Sequence, residues 1–94
     1  MNQLQMFNFE NQNVRVIQQE GEPWFVAVDV CRILEIKNTS DALKRLETDE
    51  RARFNLGRQG ETNVINEYGL YSLVLASRKP EAKLFKRWVT HEVI

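Results

Sequence analysis

Alternating apolar and polar positions dominate the first third of the chain. Gln5-Met6-Phe7-Asn8-Phe9 and Asn13-Val14-Arg15-Val16-Ile17 are rich in aromatic and β-branched residues and flank the polar stretch Glu10-Asn11-Gln12-Asn13. That pattern predicts a β-hairpin. Glu20-Gly21-Glu22-Pro23 marks a turn, and Trp24-Phe25-Val26 reads as a third short strand running into a helix near Ala27. On that helix Val26, Val30, Ile33 and Leu34 share a face, and Asp29 lies in the first turn, where negative charge suits the positive end of the helix dipole. Glu35-Ile36-Lys37-Asn38 forms a turn, after which Thr39-Ser40-Asp41 supplies capping residues for a second helix through Leu46, apolar at Ala42, Leu43 and Leu46. Two helices so joined have the outline of a helix-turn-helix, an outline shared by many small helical hairpins.

Arg51 to Leu56 alternates strictly, with Arg51, Arg53 and Asn55 on one face and Ala52, Phe54 and Leu56 on the other. Gly57-Arg58-Gln59-Gly60 then supplies a turn, and Glu61 to Asn66 returns as a partner strand, which places Arg58 at the tip of a second hairpin. The same four residues match the GxxG clamp of KH domains, but that clamp joins helices, so the hairpin turn fits better. From Glu67 the period lengthens. Leu70, Tyr71, Val74 and Leu75 form the stripe of a third helix ending near Ser77, and Pro80 opens a fourth, with Ala82, Phe85, Trp88 and Val89 inward and Lys79, Lys83, Lys86 and Arg87 outward. The expected fold is one α+β domain over residues 1–94, two small antiparallel hairpins with about four helices.

Composition narrows the function. Thirteen basic and thirteen acidic residues balance, but residues 1–50 carry five basic and nine acidic side chains while residues 51–94 carry eight and four, which polarises the chain. Cys31 is the only cysteine and His91 the only histidine, and they fall in different predicted helices. No disulfide, metal cluster or Cys-His nucleophile pair follows from them, so neither an enzyme nor a cofactor is expected and Cys31 reads as a core thiol. No apolar run approaches the ~20 residues of a membrane span, and a lone thiol suits a reducing cytoplasm.

The polar inventory points to nucleic acid. Lys37, Asn38, Thr39, Ser40, Lys44 and Arg45 surround the start and exposed face of the second helix, mixing the donors and acceptors that base edges and phosphates require. A plain cap with a solvated face is the competing reading. Arg51, Arg53 and Arg58 could enter a groove as a β-ribbon, or keep a sheet edge soluble. Lys79, Lys83, Lys86 and Arg87 form a charge stripe that reads first as a solvated helix face and second as a contact for phosphate at any sequence.

Several phrases, in order, resemble the Bro-N domain, the N-terminal domain of phage antirepressors and baculovirus Bro proteins. They are Trp24-Phe25-Val26-Ala27-Val28-Asp29-Val30-Cys31, Lys37-Asn38-Thr39-Ser40-Asp41-Ala42-Leu43, Val64-Ile65-Asn66-Glu67-Tyr68-Gly69-Leu70-Tyr71-Ser72-Leu73, and Ser77-Arg78-Lys79-Pro80-Glu81-Ala82-Lys83 with Phe85-Lys86-Arg87-Trp88-Val89. The resemblance implies a small α+β domain that binds double-stranded DNA, in a prophage antirepressor-like regulator of the bacterial host cytoplasm. It also implies a different C-terminal domain, so that these 94 residues are expected to be the N-terminal part of a longer protein. Binding a repressor protein, with or without homo-oligomers, is the alternative role, and it suits zero net charge. One position departs from the family pattern: Glu35 stands where Gly is common after the first helix. A left-handed cap there would be strained by up to about 1 kcal/mol, or the cap has another shape.

Overall fold

Two tight turns set the register of the N-terminal strands. In the computed structural model, which describes residues 3–94, Glu10 and Asn11 (φ 49° and 67°) join β1 (Gln3–Phe9) to β2 (Gln12–Gln19). Glu20 and Gly21 (φ 53° and 78°) join β2 to β3 (Glu22–Val26). Two successive positive φ angles make each loop a type I′ turn, whose twist matches that of the strands it connects. Both turns are shorter than the polar stretches in the sequence suggest, because Gln12, Asn13, Glu22 and Pro23 are already in the strands. Pro23 is tolerated because it precedes Phe25 and Val26, the residues of β3 that pair on the other side.

The predicted hairpins are joined rather than separate. β4 (Arg51–Asn55) pairs with β5 (Glu61–Ile65), and β5 pairs with β3 through Phe25 opposite Ile65 and Val26 opposite Val64. One antiparallel sheet of five strands results, in the order β1-β2-β3-β5-β4. Four helices complete the α+β fold: α1 (Ala27–Ile33), α2 (Thr39–Lys44), α3 (Glu67–Ala76) and α4 (Pro80–Trp88), the last widening into a π-helical turn at Val89–Val93.

The pleat sorts the sheet into two apolar layers. Phe9, Val14, Val16, Phe25 and Ile65 face the helices and share the main core with Val30, Cys31, Leu43, Leu70 and Phe85. Ile17, Val26 and Val64 face the other way, fully buried beneath Trp24, Ala52, Phe54 and Leu56, with the Trp24 and Phe54 rings 5.7 Å apart. Val26 is thus a strand residue of the second layer and not part of the α1 face, because the chain turns helical one residue after it. Leu75 also departs from expectation. α3 buries Gly69, Leu70, Leu73 and Val74, which turns Leu75 outward at 81% exposure. An aromatic cluster fastens α4 to β1: Phe9 lies 5.2 Å from Phe85 and 5.3 Å from Trp88, and Phe7 meets Trp88 edge-on at 6.1 Å.

Asp29 does more than face a dipole. Only 2% exposed, it accepts hydrogen bonds from the Arg15 backbone N–H (2.9 Å), Arg15 Nε (2.9 Å) and Arg15 Nη2 (3.0 Å), and a longer one from Arg32 Nη1 (3.3 Å). The β2–β3 ladder ends at Val16 opposite Phe25, so the Asp29 carboxylate takes the Arg15 donor that the ladder no longer reaches.

Candidate nucleic-acid interface

The connection between α1 and α2 is built on a left-handed residue. Glu35 has φ 57°, and Ile36 N–H donates to the Cys31 carbonyl at 2.8 Å, so the cap has the left-handed shape although a glutamate occupies it. The Glu35 carboxylate meets Lys79 Nζ at 2.8 Å, which ties this turn to the start of α4. α2 itself is six residues, about 9 Å of helix at 1.5 Å per residue, and it starts two residues earlier than Asp41 and ends before Leu46.

Two of the six polar candidates here serve the fold. Asn38 Oδ1 accepts the Asp41 N–H at 3.1 Å, capping α2, and is therefore committed before any base edge is considered. Thr39 is half-buried, with its hydroxyl near the Cys31 thiol. Burial pushes that thiol's pKa up, against the smaller opposing effect of Thr39, as befits a core cysteine. Lys37, Ser40, Lys44 and Arg45 are exposed, Lys44 Nζ standing 4.0 Å from Asp41 Oδ1.

The arginine hairpin adjoins α2. Leu43 of α2, Thr48, and Arg51, Ala52, Arg53 and Asn63 of the hairpin line one shallow depression of about 330 Å³. Arg51 is half-buried, and Arg53 is exposed with Nε 3.1 Å from Glu61 Oε2. Arg58 is exposed at the tip, in a 3-10 turn (Gly57–Gln59) bounded by Gly57 and Gly60 at φ 70° and 79°. Arg51 and Arg53 thus share this depression with Leu43 of α2, while the polar candidates of α2 lie outside its lining.

The α4 set belongs elsewhere. Lys79, Lys83, Lys86 and Arg87 are exposed along a larger groove between α3 and α4, and the Glu35–Lys79 pair joins this region to the turn before α2. Lys86 sits over the Tyr71 ring at 5.7 Å. Burial, reinforced by the hydrogen bond to Glu67, pushes the Tyr71 phenol up to about 12, so Lys86 faces a neutral ring. The same groove contains Leu75, which the α3 stripe placed inward, and Arg78 and Leu84, to which the sequence pattern gave no role. A signal was present for Leu84, an apolar residue interrupting the cationic face between Lys83 and Lys86.

Among the described residues, no three His, Cys, Asp or Glu side chains converge as metal ligands, and no helix is long and apolar enough to cross a membrane.

Comparison with known proteins adds a family. Residues 13–94 match the BRO family, N-terminal domain. An uncharacterized protein of Haemophilus influenzae is 42% identical over 100 residues, covering 99% of this chain and 50% of that protein. Two proteins of Invertebrate iridescent virus 6, named as Bro-N domain-containing proteins 289L and 201R, are each 30% identical, over 77% and 78% of this chain and 22% and 23% of their own lengths. The chain thus spans half or less of these relatives. No solved structure matches it.

Proposed function

The chain belongs to the BRO family through its N-terminal domain, and from that premise we propose that it is the DNA-binding module of a phage or prophage antirepressor-like regulator, acting as one domain in the bacterial cytoplasm. The observation that carries the reading is the meeting of α2 with the arginine hairpin. Arg51 and Arg53 line a depression to which α2 contributes Leu43, and Lys37, Ser40, Lys44 and Arg45 stand exposed on α2 and its flanks. Donors on two rigid elements, a helix and a β-ribbon, suit a duplex groove, with Arg58 at the hairpin tip available to phosphates. The division of labour is testable by anisotropy with a labelled duplex. Arg45→Ala should cost about 1–3 kcal/mol on a preferred sequence and little on random DNA, as expected for a lost base contact. Replacing Arg51 and Arg58 together by Ala should weaken binding to all sequences and lower the salt slope by about one per phosphate contact removed. Asn38→Ala is a poorer probe, because loss of the cap alone destabilises α2 by about 1 kcal/mol. Equal affinities of all these variants for specific and random duplexes would contradict the assignment.

A further inference from the structure

We propose that the groove between α3 and α4 is a docking site for an acidic amphipathic helix of a partner protein. Its floor is apolar and open. Leu75 of α3 is 81% exposed and Leu84 of α4 51% exposed, and both line one depression of about 940 Å³ together with Val74 and Pro80. Single exposed leucines are ordinary on a protein surface, but two on neighbouring helices lining the same groove make a contiguous patch of the kind that marks an interaction site.

The rim is of one sign. Arg78 in the connection and Lys83, Lys86 and Arg87 on α4 border the groove, and among the described residues none of them pairs with a carboxylate. Lys79 alone does, through Glu35. The acidic groups of the two helices are Glu81 near the start of α4 and Glu67 at the far end of α3, where it bonds Tyr71. Cations around an apolar floor select a ligand with carboxylates flanking an apolar stripe.

Length and backbone favour a helical ligand. The groove follows α4 from Lys79 to Thr90, about 16 Å at 1.5 Å per residue, which matches three helical turns. Its walls are helices, so no unpaired strand edge is offered for an extended peptide to join. Nucleic acid fits less well, since a phosphate backbone would leave Leu75 and Leu84 with nothing to bury against. The inference stands apart from the α2 and hairpin surface assigned to DNA.

The test uses the 94-residue chain and a labelled helical peptide of about 18 residues with leucines at i, i+3, i+4 and i+7 spacings and glutamates elsewhere. The controls are a scrambled peptide of equal composition and a random-sequence duplex. At about 0.15 M salt, the amphipathic peptide should bind in the micromolar range, and the scrambled peptide at least about tenfold more weakly. Leu75→Glu and the Lys83→Glu, Arg87→Glu double variant should each weaken it about tenfold or more, with circular dichroism spectra unchanged because these side chains are exposed. Duplex affinity of Leu75→Glu should stay at the parent value. Equal binding of the scrambled peptide, displacement of the peptide by random duplex, or no peptide binding up to about 1 mM would overturn the proposal, the second by showing a nucleic-acid surface.

Discussion

Asp29 is the residue on which the junction of sheet and helices depends. Its carboxylate satisfies the Arg15 backbone N–H and both ends of the Arg15 guanidinium fork while almost fully buried. Replacing it by Ala leaves that donor without a partner and the arginine without a counter-charge, and should cost about 3 kcal/mol in chemical denaturation. Asp29→Asn, which retains an acceptor, should cost less. Burial acts to raise the Asp29 pKa, but the side-chain and backbone hydrogen bonds from Arg15 outweigh it and hold the carboxyl below its ordinary value. A depressed folded-state pKa means stability that is present at neutral pH and lost as pH falls below about 4, the unfolded-state value. The parent should therefore lose more stability than Asp29→Asn between about pH 4 and 2 in matched denaturant titrations; parallel curves would refute the assignment. At the same scale, Glu35 holds a left-handed φ of 57° at a cost of up to about 1 kcal/mol, and an exposed ion pair with Lys79 offsets only part of that.

Among the elements, α3 is placed by what it lacks. Asn66 caps it, accepting the Gly69 N–H at 2.9 Å and donating from Nδ2 to the Asp49 carbonyl at 3.0 Å. A Cβ on Gly69 would stand 2.9 Å from the Glu50 carbonyl oxygen, a backbone atom that itself accepts the Asn66 N–H. Helix propensity favours Ala over Gly by up to about 1 kcal/mol, yet Gly69→Ala should destabilise the chain by about 1–3 kcal/mol because the carbonyl has no room to move. An increased melting temperature would contradict this. Most elements were legible from periodicity and punctuation: Pro80 and the Ala82, Phe85 and Val89 stripe locate α4, and the alternation from Arg51 locates β4. Pairing between β3 and β5 was not legible, because Phe25 and Ile65 are 40 residues apart and nothing local encodes their register. Leu75 was misassigned for a related reason: α3 carries apolar residues on more than one side, so its stripe alone does not say which side the sheet covers. In the candidate site, the exposed cations were readable from sequence, whereas the use of Asn38 as a cap and the partial burial of Thr39 appear only once α1 and α2 are folded.

For the whole molecule, the charge asymmetry of the sequence resolves into separate surfaces. The hairpin arginines lie beside α2, whose own cations come from the acidic half of the chain, while the α4 cations ring an apolar groove. A net charge of zero makes non-specific attraction to DNA weak, so the DNA-binding reading requires recognition at the α2 and hairpin surface and not attraction alone. The most direct measurement is therefore selection of duplexes from a random pool by the chain, followed by the affinity of the selected duplex relative to a random one at about 0.15 M salt. The account predicts one enriched sequence, bound at least about a thousandfold more tightly than random DNA. A pool that stays unenriched, with any residual binding equal across sequences, would contradict it.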